Sequence, residues 1–277
     1  KFQLLQMKIF RNKNNLINEI VGLKNLGFVP TMGALHKGHL SLVDKAKKES
    51  KKILVSIYVN PKQFSSKKEI KKYPRNLDKD ISLLKKKKVD YLYVPNSKDM
   101  NSLKVEKSIY LDKFSKKLCG KFRPGHFKEV VNVVNKFLDI IKPKAIYLGM
   151  KDFQQLTLIK LHLIKMKINT KLVQCPTIRK SNGIALSSRN SMLKKSQILQ
   201  AGMIYSYISN NKKKILNKIL NNKKSEIVNK LIKLGAQKVE YIECLNLKKL
   251  EFSKNTKNSF NVFVAYYLND VRLIDNL

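Results

Sequence analysis

With 277 residues, 43% of them hydrophobic, the chain is long enough for one large domain or two ordinary ones and too apolar for disorder. No apolar run approaches a membrane helix, and the first residues hold neither a signal-peptide apolar core nor a small-residue cleavage site, so a cytoplasmic protein is expected. Lys and Arg outnumber Asp and Glu 58 to 19, a formal charge of +39 that suggests a polyanion partner; the lysines are dispersed and Trp is absent, which favours compositional drift over specific nucleic-acid binding.

In chain order, Met7 opens a plausible start, MKIFRNKNN, which would make residues 1–6 an extension. LGFVP (26–30), KILVSIYV (52–59), VDYLYVP (89–95), KAIYLG (144–149) and TKLVQCP (170–176) are apolar runs of strand length. Longer amphipathic stretches lie between them: HLSLVDKAKKES, NLDKDISLLKKKK, EVVNVVNKFLDIIK and FQQLTLIKLHLIKMK. Apolar strands alternating with helices predict a Rossmann-like, doubly wound parallel sheet over residues 1–176. Ligands of such sheets lie beyond the carboxyl ends of the strands. His162 is expected on the surface of its helix.

After Pro176 a Ser-, Asn- and Gly-rich segment leads to helices near 194–209 and 225–235 and strands at VEYIEC (239–244) and FNVFVAYYL (260–268). Residues 177–277 are therefore expected to form a smaller α+β domain. The Lys/Asn-rich stretch 210–224 keeps Ile215, Leu216, Ile219 and Leu220 at helical spacing and reads as a solvated helix. Cys119, Cys175 and Cys244 show no pairing or metal-ligand spacing, which fits a reducing compartment.

The strongest chemical signal is PTMGALHKGHL at 30–40, between a strand and a helix. Gly33 and Gly38 permit a tight turn and close approach of a phosphate. A helix starting near Gly38 would aim free N–H groups and its positive end at the same spot. His36 and His39 can donate hydrogen bonds to a polyphosphate. The HxGH pattern is characteristic of the adenylyl- and cytidylyltransferase superfamily.

PTMGALHKGH is followed by VNPKQF (59–64), YPR (73–75), RPGHF (123–127), GMKDFQQL (149–156), LSSRN (186–190) and a closing RLIDN (272–276). These segments stand in the order and spacing of pantothenate synthetases, and the chain resembles that family over residues 29–276. The family joins pantoate to β-alanine with ATP, giving AMP and pyrophosphate. The resemblance implies ATP contacts from Met32, Gly33, His36, His39, Gly149, Lys151, Asp152, Ser187, Ser188 and Arg189. Catalytic charge stabilisation would come from His36, His39, Lys151, Ser187, Ser188 and Arg189, with Asp152 accepting from the ribose hydroxyls. Gln63 and Gln155 would hold pantoate, Asn60 and Tyr73 would shape the β-alanine entrance, and Arg123 and His126 would be further polar ligands of the cleft. Asp80 suits a Mg²⁺ shell through water. The resemblance also implies a homodimer and a C-terminal domain acting as a lid.

Several positions depart from the family pattern: Met150 for a polar residue, Lys180 for a frequent acid, Asn182 before Gly183, and Lys128-Glu129 after RPGHF. Two other readings compete. A different HxGH nucleotidyltransferase would use a phosphate nucleophile, and Gln63, Gln155 and the large second domain argue against it. A basic nucleic-acid-binding protein would explain the charge, but no RNA-binding motif or aromatic–basic stripe is present. Arginine is scarce, yet Arg75, Arg123, Arg179 and Arg189, four of six, fall in or beside the motif segments, where lysine could not reproduce a bidentate fork.

Overall fold

The computed structural model describes residues 6–103, 108–255 and 259–277. These fall into two units, one running to Ser115 and resuming over Arg123–Pro176, the other made of Lys116–Phe122 and Thr177–Leu277.

The first unit contains β1 (Lys8–Phe10), α1 (Lys13–Ile20), β2 (Leu26–Thr31), α2 (Lys37–Glu49), β3 (Lys52–Ile57), α3 (Lys67–Lys72), α4 (Leu77–Lys86), β4 (Tyr91–Tyr93) and α5 (Ser97–Ser102). After α6 (Cys119–Phe122), which packs with the second unit, it continues through α7 (His126–Ile141), β5 (Ala145–Gly149), α8 (Phe153–Lys165) and β6 (Lys171–Cys175). The sheet order is β1-β4-β3-β2-β5-β6, with every pairing parallel. Central β2 and β3 are buried nearly throughout, which is why they read as continuous apolar runs rather than alternating ones. Phe137 of α7 packs edge-on against Tyr58 and Tyr93 and tilted against Phe28, fixing that helix on one sheet face.

Successive strands run outward from β2 in one direction and then, from β5, in the other. The carboxyl ends of β2 and β5 therefore form the topological switch point where such sheets take ligands. Edge strand β1 escapes the sequence reading because it has three residues and no buried position at its first two. Glu129, unexplained by sequence, lies in the first turn of α7, where a carboxylate complements the helix dipole.

His162 is not on the surface. It is fully buried on α8, where Nδ1 accepts from the Tyr110 N–H at 3.1 Å and Nε2 faces Asn135 Oδ1 of α7 at 3.1 Å. A backbone N–H can only donate, so the proton sits on Nε2. The helix is apolar on nearly all sides, and such helices are buried.

The second unit packs α9 (Lys195–Asn210), α10 (Lys212–Leu220) and α11 (Lys224–Lys233) with an antiparallel sheet ordered β10-β9-β7-β8, formed by β7 (Lys238–Asn246), β8 (Glu251–Phe252), β9 (Phe260–Leu268) and β10 (Val271–Asn276). Its core includes Ile204, Ile208, Ile227, Leu231, Val262 and Val264. The stretch expected to be a solvated helix does form α10, but Ile215 and Leu216 are buried in this core. The RLIDN segment is β10, joined to β9 by a two-residue turn with Asn269 in the left-handed region. All three cysteines are buried and unbridged. No helix among the described residues is long and apolar enough to cross a membrane.

Candidate active site

The turn from β2 to α2 is strained and held from below. Gly33 has φ +76°, and a Cβ there would stand 3.0 Å from Asp80 Oδ2 and 3.2 Å from Ile57 Cγ2. Ala34 follows at φ 50°, a costly conformation for a residue with a Cβ. Asp80, at 2% exposure, stabilises this path by accepting the Ala34 N–H at 2.8 Å and the Leu35 N–H at 2.7 Å, one on each carboxylate oxygen. Burial raises its pKa, and the two amide bonds pull in the opposite direction. The acid expected in a metal shell is thus also a loop anchor. Asp80→Ala should remove the shared acceptor of two amides, destabilise the fold by about 2–4 kcal/mol, and leave any magnesium requirement unchanged. A magnesium titration of the variant checks this; rescue by excess magnesium would restore the metal role.

His36 is the N-cap of α2, and its Nδ1 accepts from the Gly38 N–H at 3.1 Å. His39 Nδ1 accepts from the His36 N–H at 3.4 Å, and the two rings lie 4.1 Å apart. The helix thus caps itself with its own histidines, so the Gly38 N–H is not free for a phosphate as expected. In exchange both tautomers are set: each Nδ1 is an acceptor, which leaves the proton and donor capacity on Nε2. Burial, followed by the charge of Lys151, lowers the His36 pKa to about 4; burial, followed by His36, lowers that of His39 to about 3. Both rings are neutral Nε2–H donors at pH 7.

Lys151 and Asp152 act on these histidines because Gly149 ends β5, the neighbour of β2, and the two residues follow directly after it. Lys151 Nζ lies 3.4 Å from Asp152 Oδ1. A Cβ on Gly149 would meet open space, so the chain is bare at this edge. Met150 opens the short 3-10 turn over Met150–Asp152, and Gln155 sits half-buried in the first turn of α8. Beyond β3, Asn60 caps the 3-10 turn Pro61–Gln63 by accepting the Lys62 N–H at 3.2 Å. Gln63 is buried at 8% exposure, and Tyr73 packs edge-on against Phe64. Three adjacent strands, β3, β2 and β5, therefore deliver Asn60, Gln63, Met32, Gly33, His36, His39, Gly149, Lys151, Asp152 and Gln155 from their carboxyl ends.

Arg123 and His126, expected as polar ligands of the cleft, both reach the Gln63 carbonyl, at 3.0 Å from Nη2 and 2.7 Å from Nδ1.

Ser187, Ser188 and Arg189 belong to the second unit. Ser187 caps the 3-10 turn Ser188–Met192, its Oγ accepting the Arg189 N–H at 3.2 Å while Asn190 Oδ1 takes the Ser187 N–H at 2.8 Å. The segment before it is braced by a residue set that sequence reasoning missed. Arg179 forks onto Asp275 at 2.6 and 2.9 Å, donates to Gly183 O and Asn276 O, and stacks on Tyr205. The closing RLIDN motif thus ties Asp275 to the hairpin leading into Ser187, and Arg272 pairs with Glu240 at 2.6 Å.

The sequence model of the pantoate–β-alanine ligase family matches residues 7–277. The chain belongs to this family. It is 40% identical over 267 residues to the pantothenate synthetase of Francisella tularensis subsp. novicida, covering 95% of this chain and 93% of that one. The Clostridium botulinum (strain ATCC 19397 / Type A) pantothenate synthetase is 39% identical over 254 residues, covering 91% and 90%. The Thermus thermophilus enzyme superposes with a TM-score of 0.88 at 29% identity, covering 98% of this chain and 99% of that one. A crystal structure of the Francisella tularensis ligase, complexed with beta-gamma ATP and beta-alanine, superposes at 0.80 with 39% identity, covering 98% and 97%. The pantoate–β-alanine ligase family is a family of enzymes.

Proposed function

We propose that the protein condenses pantoate with β-alanine in two steps through a pantoyl adenylate, releasing pyrophosphate and then AMP. The observation that carries this reading is the pair of neutral, Nε2-protonated histidines at the β2 carboxyl end, beside Lys151 and Asp152. Pantoate carboxylate is ionised at neutral pH, so its attack on the α-phosphorus needs no general base. Positioning and charge stabilisation then supply the catalysis. His36 and His39 donate to the phosphates through Nε2–H, Lys151 adds a cation, and Asp152 accepts from ribose. Gln63 and Gln155 hold the hydroxyls and carboxylate of pantoate, since an amide both donates and accepts. Asn60 and Tyr73 are assigned to the β-alanine entrance.

Magnesium enters as Mg-ATP, a substrate whose phosphates supply much of its coordination. Ser187, Ser188 and Arg189 take the leaving pyrophosphate, and the second unit is assigned the part of a lid. The family supports a homodimer in the cytoplasm. The charge of +39 is read as incidental, with loose, salt-sensitive nucleic-acid binding at most.

The decisive experiment is isotope exchange. Pantoate and Mg-ATP alone should move labelled pyrophosphate into ATP, and adding β-alanine should yield pantothenate and AMP. No exchange under conditions where the full reaction runs would overturn the two-step reading.

A further inference from the structure

We propose that Arg123 and His126 are positioning residues that orient Gln63, and so set the affinity for the hydroxy acid, without touching substrate themselves. The proposal rests on the reading of Gln63 as a pantoate-holding amide.

Arg123 spends its donors on one short loop. Its Nη2 donates to Gln63 O at 3.0 Å and approaches the Glu69 carboxylate at 3.3 and 3.4 Å, and its Nε reaches Ser65 Oγ at 3.2 Å. Its Nη1 lies 3.3 Å from His126 Nε2. A guanidinium has donors only, so Nε2 of His126 must be the acceptor. The proton of the ring is therefore on Nδ1, and it donates to the same Gln63 carbonyl at 2.7 Å. Arg123 thus fixes the tautomer with which His126 acts.

Two side chains converging on one carbonyl fix the peptide plane of Gln63 and with it the direction of its side chain. The loop itself adds the Asn60 cap and the packing of Phe64 on Tyr73. It contains one 3-10 turn, Pro61–Gln63, followed by an exposed stretch before α3, and Glu69 closes it by accepting the Ser65 N–H at 2.9 Å. The Gln63 side chain is buried yet takes no hydrogen bond from the described residues, so its aim is set by the backbone beneath it. His126 stands at the start of α7, an element locked to the sheet through Phe137. The clamp therefore references the loop to the rigid core. Misplacing a binding group by a fraction of an ångström is costly, and a Gln63 released from the clamp would have to be ordered anew by each substrate molecule.

The test measures Michaelis constants for pantoate and ATP separately. His126→Leu, which removes the donor, should raise the pantoate KM on the order of tenfold while the ATP KM stays within about twofold. His126→Asn should recover most of the loss, because the asparagine Nδ2–H occupies roughly the position of the histidine Nδ1–H. In a Gln63→Ala background, His126→Leu should add little further loss, as expected for residues acting in series. Backbone amide exchange over residues 61–66, read without substrate, should quicken in His126→Leu and in Arg123→Met but not in Gln63→Ala. An unchanged pantoate KM in His126→Leu, equal losses for pantoate and ATP, or full additivity with Gln63→Ala would overturn the proposal. If Gln63→Ala itself leaves the pantoate KM untouched, the substrate assignment of Gln63 is what fails, and the exchange rates still report on the clamp.

Discussion

His39→Asn should slow pyrophosphate exchange by roughly 10²- to 10³-fold, nearly as much as His39→Ala, the range typical for removing one preorganised transition-state donor. The choice of asparagine separates two roles that the ring combines. Nδ1 of His39 accepts the His36 N–H and so helps cap α2. An asparagine oxygen can replace that acceptor at about the same distance from the backbone, but nothing in its side chain reaches where Nε2–H points. If capping were the whole role of His39, the asparagine variant would keep near-normal exchange. Pantoate affinity should stay close to that of the parent in both variants, because the amides assigned to pantoate lie elsewhere. The pH dependence makes a second demand. With burial holding the free-protein pKa of His36 at about 4 and of His39 at about 3, both rings stay neutral far below their usual range. The profile of kcat/KM for ATP, which reports the free enzyme, should therefore show no descending imidazole limb between pH 7 and 5. A limb centred near 6.5 would mean that the histidines titrate as exposed groups and that the buried, tautomer-locked pair is wrong.

The fold is legible in the sequence because its signal is dense. Six parallel strands need apolar runs, and all but the three-residue β1 announce themselves. The motif at 30–40 is legible for a related reason: glycines, histidines and a helix start have no bland explanation in combination. What the sequence hides is the partner across the fold. Arg123 and Arg179 do act as forks that lysine cannot replace, but these and Arg75 grip the protein. Arg75 donates to Ile70 O, Arg123 braces the Gln63 loop, and Arg179 finds Asp275 at a separation of 96 residues. Asp80 has such a hidden partner too. An acid beside a phosphate motif suggests metal, whereas burial and two amides 46 and 45 residues away make it an anchor. Residue type shows what a side chain can do, and only tertiary proximity shows to whom it does it.

His162 is the residue whose misplacement carries the largest expected effect on stability. His162→Leu fills similar space but removes the acceptor of the Tyr110 N–H and the donor that faces Asn135 Oδ1, both inside the first unit. Removing the partner of a buried group costs roughly 1–3 kcal/mol, so a loss of that order at pH 7 is expected from the shift in urea midpoint. His162→Asn should fall between, since its oxygen can still accept from Tyr110. Acid should then narrow the gap between wild type and the leucine variant. Burial lowers the folded-state pKa of His162 to about 4, against an unperturbed 6.5. Above 6.5 neither state binds the proton, and the hydrogen bonds contribute in full. As pH falls from 6.5 toward 4, the unfolded chain takes up a proton that the folded protein refuses, and stability drops by about 3 kcal/mol for this one group. Below 4 both states bind it and the loss levels off. His36 and His39 are lowered in the same direction, so the wild type should be acid-labile through this window with more than one proton involved. Removing His162 takes away one share: urea midpoints measured at pH 7 and pH 5 should decline less steeply in the leucine variant. Parallel decline in the two proteins would show that His162 is already protonated, or that solvent reaches it, and the buried bridge from Tyr110 to Asn135 would have to be abandoned.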